Sequence, residues 1–412
     1  MRSAATLTSL LFRQASVWEP AGVKVLFSTT AGSGHFGPLI PFANACRDAG
    51  HQVRVAAPAS FASAVLAAGL EHAPFADVSP EIMGPIFGRL PTLSFEEANA
   101  TVLTEIFCRL DAQAALPGLT EVITTWQPDV VVREPAEFAS LVAAERAGIP
   151  QVQVDIGLGS ITESVLPRLS APLAELGALA GLPPDQALRT LSSTVGFTTV
   201  PAAVARPQAD VGSTSDDMVW RFHDTSLTAG SGRLPDPWGE PEHPLVYVTF
   251  GSVTAGLAPF AAVYADALEA LSDLPIRVLM TTGHTDDQLS LKAPANAHVE
   301  RWWPQAEVMP SAAASVGHGG FGTTMMALAA GVPQIVIPLF SSDQAVNAGR
   351  VSGIGAGIHL SGGPASVAEI PAALRRVLTN PAFGASAQRV AADMAALADM
   401  AESVPILEEL AG

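Results

Sequence analysis

Two short glycine-rich stretches hold the residues with the most chemical promise. One reads G-S-G-H-F-G over 32–37 and the other G-H-G-G-F-G over 317–322. Both fit G-x-G-x-x-G, both follow an apolar run and precede a helical pattern, and each carries a histidine, His35 and His318. In the second stretch the open amides of a helix start, at the positive end of its dipole, would form an anion site. Its glycines would let a phosphate approach the backbone, and His318 would add a hydrogen bond. The same residues also make an ordinary tight turn before a helix. In the first stretch, a neutral imidazole at position 35 could take a proton from a hydroxyl near neutral pH. A lone loop histidine is by itself no evidence of that.

Further polar residues cluster near the second stretch. Asp343 and Gln344 follow an apolar strand and offer an acceptor and a donor for sugar hydroxyls. Asp343 would equally serve as a helix cap. Upstream, Arg301-Trp302-Trp303-Pro304-Gln305 places aromatic rings and an amide where a base could stack and be read, although a Trp pair also suits a core. No group of carboxylates, cysteines and histidines has metal-ligand spacing, so no metal is expected.

The elements that must position these residues alternate. An apolar β-branched run at 23–28 (VKVLFS) predicts a buried strand, the glycine loop follows, and 38–49 reads as a helix closed by Gly50. Strands are predicted at 51–57, 129–133 and 151–155, with a helix at 136–146. The pattern is that of βαβ units and a parallel sheet. Between them, 77–119 is less regular and rich in Phe, Met and Pro, as pocket-shaping segments often are. Residues 223–244 lose periodicity and crowd Pro and Gly, marking an interdomain linker. A second α/β half follows, with strands at 245–250, 277–281, 298–300, 313–317 and 334–339 and helices at 370–378 and 386–396. The expected organisation is an extension over 1–22, a first domain over 23–222, the linker, a second domain over 245–395, and a tail over 396–412 that packs back on the first domain.

Composition sets outer limits. A length of 412 residues exceeds one ordinary core and implies two domains. The formal net charge of −18 repels nucleic acid and anionic lipid, and no apolar run has membrane-spanning length. Lys24 and Lys292 are the only lysines and neither lies in GxxxxGK, so a phosphate-binding P-loop is excluded. Cys46 and Cys108, each in an apolar helical stretch, are expected as buried free thiols in a reducing, cytoplasmic setting.

Residues 299–347 resemble the donor-binding signature of family 1, UDP-glycosyltransferase-like glycosyltransferases. Trp-x-Pro-Gln (Trp302 to Gln305), His-x-Gly (His318 to Gly320), Gly-Val-Pro (Gly331 to Pro333) and Asp343-Gln344 occur in the family's order. Gly34-His35-Phe36-Gly37-Pro38 and Phe250-Gly251-Ser252 also match, so the resemblance covers nearly the whole chain after residue 22. It is closest to the bacterial branch that decorates macrolides, enediynes and glycopeptides. The resemblance implies an α/β fold of GT-B architecture, with two Rossmann-like parallel-sheet domains facing a central cleft. It implies inverting, metal-independent sugar transfer from a nucleotide diphosphate to a hydrophobic natural-product aglycone, with no cofactor and a homodimer as one admitted state.

By that resemblance Trp302 stacks on the base and Gln305 contacts base or ribose. His318 and the amides around Gly319, Gly320, Thr323 and Thr324 hold the diphosphate, and Ser252 touches a phosphate from the facing loop. Asp343 and Gln344 hold sugar hydroxyls, and His35 becomes the general base. The family's partner aspartate aligns with Glu134, with Glu137 a second possibility. UDP-using members commonly carry a glutamate for the ribose hydroxyls where this chain has Met326. Its loss costs a 2′-deoxy nucleotide less, which favours a dTDP-sugar over a UDP-sugar. Phe87, Phe95 and Phe107, with the 157–169 loop, are expected to line the acceptor pocket.

Three rivals are weighed against this. A nicotinamide-dependent oxidoreductase needs an acid ending the second strand, where the chain reads Ala56-Ala57-Pro58; Asp343 has suitable spacing in the second half but lies beyond its strand. A nucleotide-sugar epimerase would act without an acceptor. A catalytically idle sugar-nucleotide-binding partner protein would have no use for His35.

Overall fold

The computed structural model describes residues 22–158, 161–205, 218–283 and 291–412. Apart from Gly22, the predicted extension lies outside the described residues. Among the described residues fourteen strands form two sheets, and every strand pair is parallel. The first sheet contains β1 (Lys24–Ser28), β2 (Gln52–Pro58), β3 (Glu71–Phe75), β4 (Val130–Arg133), β5 (Gln151–Val154), β6 (Val195–Thr198) and β7 (Val219–His223). The second contains β8 (Leu245–Thr249), β9 (Arg277–Thr281), β10 (Ala297–Glu300), β11 (Ala312–Gly317), β12 (Gln334–Val336) and β13 (Gly357–His359). The remaining strand, β14 (Ala398–Asp399), belongs to the first sheet although it follows the second in sequence.

The sheet orders locate the chemistry. The second sheet runs β10-β9-β8-β11-β12-β13, a doubly wound order that reverses between β8 and β11. The first runs β3-β2-β1-β4-β5-β6-β7-β14 and reverses between β1 and β4. At such a switch point the following connections leave to opposite faces and open a crevice beyond the carboxyl ends of the strands. The segments after β1, β4, β8 and β11 carry His35, Glu134, Ser252 and His318 respectively.

Burial on both faces explains why the central strands are continuously apolar. Val25, Leu26 and Phe27 are fully buried, as are Val130 to Val132 and Val246 to Val248. The tail crosses back after the helix Pro381–Ala395: β14 pairs with β7, and Val404 and Leu407 of the helix Ser403–Ala411 join the core around Val25 and Phe42. Cys46 and Cys108 are buried and free. No described helix is long and apolar enough to cross a membrane.

Two segments differ from the sequence reading. The stretch expected to be irregular is largely helical, with helices at Pro80–Arg89, Phe95–Thr101 and Ala112–Trp126 and a wide-wound π-helical turn series at Val102–Asp111. Proline at the start of one helix and within two of them hides the periodicity. Ser94 and Glu97 form a reciprocal capping box that starts the Phe95–Thr101 helix. The first glycine loop is also partly helical. Gly32, at φ 135°, ends the strand exit, and Ser33–Phe36 closes one turn because Phe36 is drawn into the core against Phe61.

Candidate active site

His35 sits in that single turn, its backbone amide donating to the Gly32 carbonyl at 3.2 Å. Its ring rests against Phe107, with centroids 5.4 Å apart, and a quarter of its side chain remains open. Nδ1 lies 3.2 Å from Glu134 Oε1, an ion-pair distance without the alignment of a full hydrogen bond. Nε2 is thereby the nitrogen left for an acceptor.

Glu134 is fully buried behind His35 and heavily solvated by the protein. Oε1 accepts from the Thr30 amide (3.2 Å) and hydroxyl (2.9 Å), and Oε2 from the Ala136 amide (2.6 Å). Burial opposes its charge, but His35 and the Ala136 and Thr30 amides outweigh it and hold the carboxyl below its ordinary range. Burial likewise opposes a charged His35. The Glu134 carboxylate reverses that, with added contributions from Asp343 and Asp111, so His35 titrates above 6.5. Glu137 has a different task. Its carboxylate accepts from the amides of Ala139 and Ser140 and caps the helix Ala139–Ala147.

Across the cleft, Gly320 opens the helix Phe321–Ala329 without a side-chain cap, leaving the amides of Phe321, Gly322 and Thr323 without intrahelical acceptors. His318 is almost fully buried, and burial pushes its imidazole down to about 4, so it stands neutral. Glycines make room for it: a Cβ on Gly320 would fall 2.6 Å from its Nε2, and one on Gly251 2.7 Å from its Cε1. Gly319, at φ 91°, lets the turn pass the Gln344 carbonyl. Gln305 donates to the Thr323 hydroxyl at 3.0 Å. The two halves meet where Ser33 Oγ lies 3.3 Å from Ser252 Oγ.

One cavity of about 1640 Å³ joins these parts. His35, Ser252, Trp302, Gln305, His318, Gly320, Thr323, Asp343 and Gln344 line it, as do Phe87, Phe95 and Phe107. Trp302 is 56% exposed; Trp303 also lines the cavity but is half-buried against the neighbouring core and donates to the Arg233 carbonyl at 3.0 Å. Gln344 is already half committed, its Oε1 accepting from the Leu339 and Phe340 amides, so its NH₂ is the part left for a ligand. Thr324 stands behind the site: its side chain is buried and its amide donates to the Gly320 carbonyl at 3.1 Å. Of the 157–169 stretch, residues 159–160 lie outside the described residues, and Arg168 and Leu169 of the helix Ile161–Leu179 reach the cavity. Among the described residues no three His, Cys, Asp or Glu side chains gather as a metal site requires.

Three residues were not singled out from sequence. Asn347 is fully buried and bridges the halves, accepting from the Leu158 amide (2.9 Å) and donating to the Gly319 carbonyl (2.8 Å). Asn99 accepts from the Ser342 amide at 2.8 Å. Asp111 lines the cavity near His35, and burial, reinforced by Asp77, pushes its carboxyl up to about 6. The Ser94-x-x-Glu97 spacing would have marked the helix that bears Asn99.

Known proteins share this fold. Residues 44–193 match the N-terminal domain, and 265–410 the C-terminal domain, of erythromycin biosynthesis protein CIII-like proteins. The chain belongs to that family. It is a bacterial natural-product glycosyltransferase of GT-B fold. Aklavinone 7-beta-L-rhodosaminyltransferase of Streptomyces galilaeus is 31% identical, over 94% of this chain and 96% of its own length. The crystal structure of glycosyltransferase SnogD from Streptomyces nogalater is 27% identical and covers 95% of this chain and 100% of its own, with a TM-score of 0.72. Glycosyltransferase VinC, solved in complex with dTDP, is 25% identical and covers 94% and 99%, also at TM-score 0.72.

Proposed function

We propose that this glycosyltransferase moves a deoxysugar from dTDP to a hydroxyl of a hydrophobic, polyketide-type aglycone, by one inverting displacement that needs no metal. The observation that carries the reading is the buried Glu134 beside His35, facing an uncapped, amide-rich helix start across one cavity. His35 Nε2 takes the proton of the acceptor hydroxyl as its oxygen attacks the anomeric carbon. The bond from that carbon to the diphosphate oxygen breaks on the far side, and dTDP departs with the electron pair.

Each half supplies one part of the charge balance. Glu134 stabilises the imidazolium that forms, holding the ring through Nδ1. The amides at Phe321 to Thr323, with a hydrogen bond from neutral His318, meet the charge on the departing diphosphate. Trp302 stacks on thymine, Gln305 fixes the base side through Thr323, and Asp343 with the Gln344 NH₂ holds the sugar. Phe87, Phe95 and Phe107 favour an apolar aglycone. Met326, half-buried on the cavity wall, offers no acceptor to a ribose 2′-hydroxyl, and the dTDP complex of VinC supports the same donor class. The rhodosaminyl group and aklavinone named for the Streptomyces galilaeus relative support a deoxysugar and a polyketide-type acceptor.

The test is single-turnover transfer from an α-configured dTDP-deoxysugar to a panel of polyketide aglycones. The anomeric proton coupling of the product is read by NMR, and His35→Ala is run beside the wild type. A β-linked product from the wild type, a loss of at least about a hundredfold in rate for His35→Ala and unchanged dTDP affinity are expected. Retention of configuration, or normal turnover by the variant, refutes the mechanism.

A further inference from the structure

We infer that Asn99 is a positioning residue that couples acceptor binding to the grip on the donor sugar. It stands on the helix Phe95–Thr101, whose Phe95 faces the acceptor side of the cavity. Its Oδ1 accepts from the amide of Ser342, the first residue of the helix Ser342–Gly353, which carries Asp343 and Gln344. Its Nδ2 donates to the Phe95 carbonyl at 2.8 Å and reaches the Phe340 carbonyl at 3.5 Å. An acceptor-side residue thus caps, from the other domain, the helix that presents the sugar-binding pair.

That helix has little freedom elsewhere. Asn347, one turn on, ties it to the Leu158 amide of the acceptor domain and to the Gly319 carbonyl of the diphosphate turn. Gln344 braces the preceding loop through the Leu339 and Phe340 amides. The start of the helix is therefore held from below by its own domain and from across the cleft by Asn99. An aglycone resting against Phe95 orders the Phe95–Thr101 helix, and that order reaches Ser342 through one hydrogen bond. By reciprocity, a bound sugar tightens the aglycone site by the same factor.

The inference rests on the reading of Asp343 and Gln344 as sugar ligands, and the experiment separates the two. Calorimetry on the full chain measures dTDP and an unreactive dTDP-sugar analogue, each with and without saturating aglycone. In the wild type, aglycone is expected to tighten the sugar analogue and not dTDP. Asn99→Ala should remove most of that tightening, a change of about threefold to tenfold for one neutral hydrogen bond, with dTDP affinity unchanged. Asn99→Asp should restore part of it, because a carboxylate accepts from the Ser342 amide at a helix start but cannot donate to the Phe95 and Phe340 carbonyls. Asp343→Ala should weaken the analogue and not dTDP. If Asp343→Ala has no such effect, the sugar-site reading fails. If Asp343→Ala behaves as expected but Asn99→Ala keeps the full tightening, or Asn99→Asp restores none of it, the coupling through Asn99 is refuted.

Discussion

Replacing Glu134 by glutamine tests whether a buried carboxylate sets the basicity of His35. The change keeps size and shape but removes the charge 3.2 Å from Nδ1. At that separation an effective dielectric near 20 gives an interaction of about 5 kcal/mol with an imidazolium. The ring is a quarter open to the cleft, so solvent screening leaves about 2 to 3 kcal/mol. That corresponds to about a hundredfold in kcat. The sign of the pH effect follows from the same balance. Burial disfavours the charged ring and only the carboxylates reverse it, so without Glu134 the pKa of His35 should fall.

The assay is the pH dependence of kcat/KM for wild type and Glu134→Gln, with dTDP affinity by calorimetry as the control for folding. The acid limb, where protonated His35 is inactive, should move to lower pH in the variant. Some stability should also be lost, because glutamine has a single accepting oxygen and cannot serve both Thr30 and Ala136, so that a buried donor is left unpaired at a cost of about 1 to 3 kcal/mol. An acid limb that stays in place, with kcat within about threefold of wild type, refutes the coupling of Glu134 to His35.

Three further outcomes are expected. Gly320→Ala should weaken dTDP binding by at least about tenfold in calorimetry while the fold survives, because the new Cβ would lie 2.6 Å from His318 Nε2 and Gly320 has φ −61°, which alanine adopts without strain. Met326→Glu should raise the affinity for UDP relative to dTDP by about tenfold in competition titrations, since it supplies the missing acceptor for the 2′-hydroxyl; an unchanged ratio removes the argument from Met326. His318, depressed from 6.5 to about 4, contributes stability that is full above pH 6.5 and is lost as the pH falls through that window. Wild type should therefore lose about 2 kcal/mol more than His318→Asn between pH 7 and 5 in urea unfolding, and equal losses would show that the ring is not held neutral.

How much of this was legible in the sequence depended on distance along the chain. The strands VKVLFS and LVYVTF could be read because parallel strands buried on both faces are uninterrupted apolar runs. Strand β14 could not, since two residues acquire their meaning only by pairing with β7. The glycine–histidine turns were readable because strand, turn and helix start lie within a few residues of each other. Asn99 and Asn347 were not, because their partners Ser342 and Leu158 lie 243 and 189 positions away. An asparagine on a helix has no local reason to be more than a surface residue. Glu134 and Glu137 are three residues apart with similar burial, and only the fold distinguishes the partner of His35 from the cap of a helix.

The two domains use the same point of the same topology in opposite electrostatic ways, and the proposed reaction would account for the difference. In that proposal a neutral ring on the acceptor side becomes a cation, which the buried carboxylate at the switch point between β1 and β4, fixed by three donors from Thr30 and Ala136, would stabilise. On the donor side the substrate arrives already charged. A fixed cation there would hold the product diphosphate as firmly as the transition state, so the switch point between β8 and β11 carries a neutral histidine and bare amides. On the same proposal a chain with two lysines would hold a diphosphate through pre-oriented dipoles, which need no counter-charge of their own.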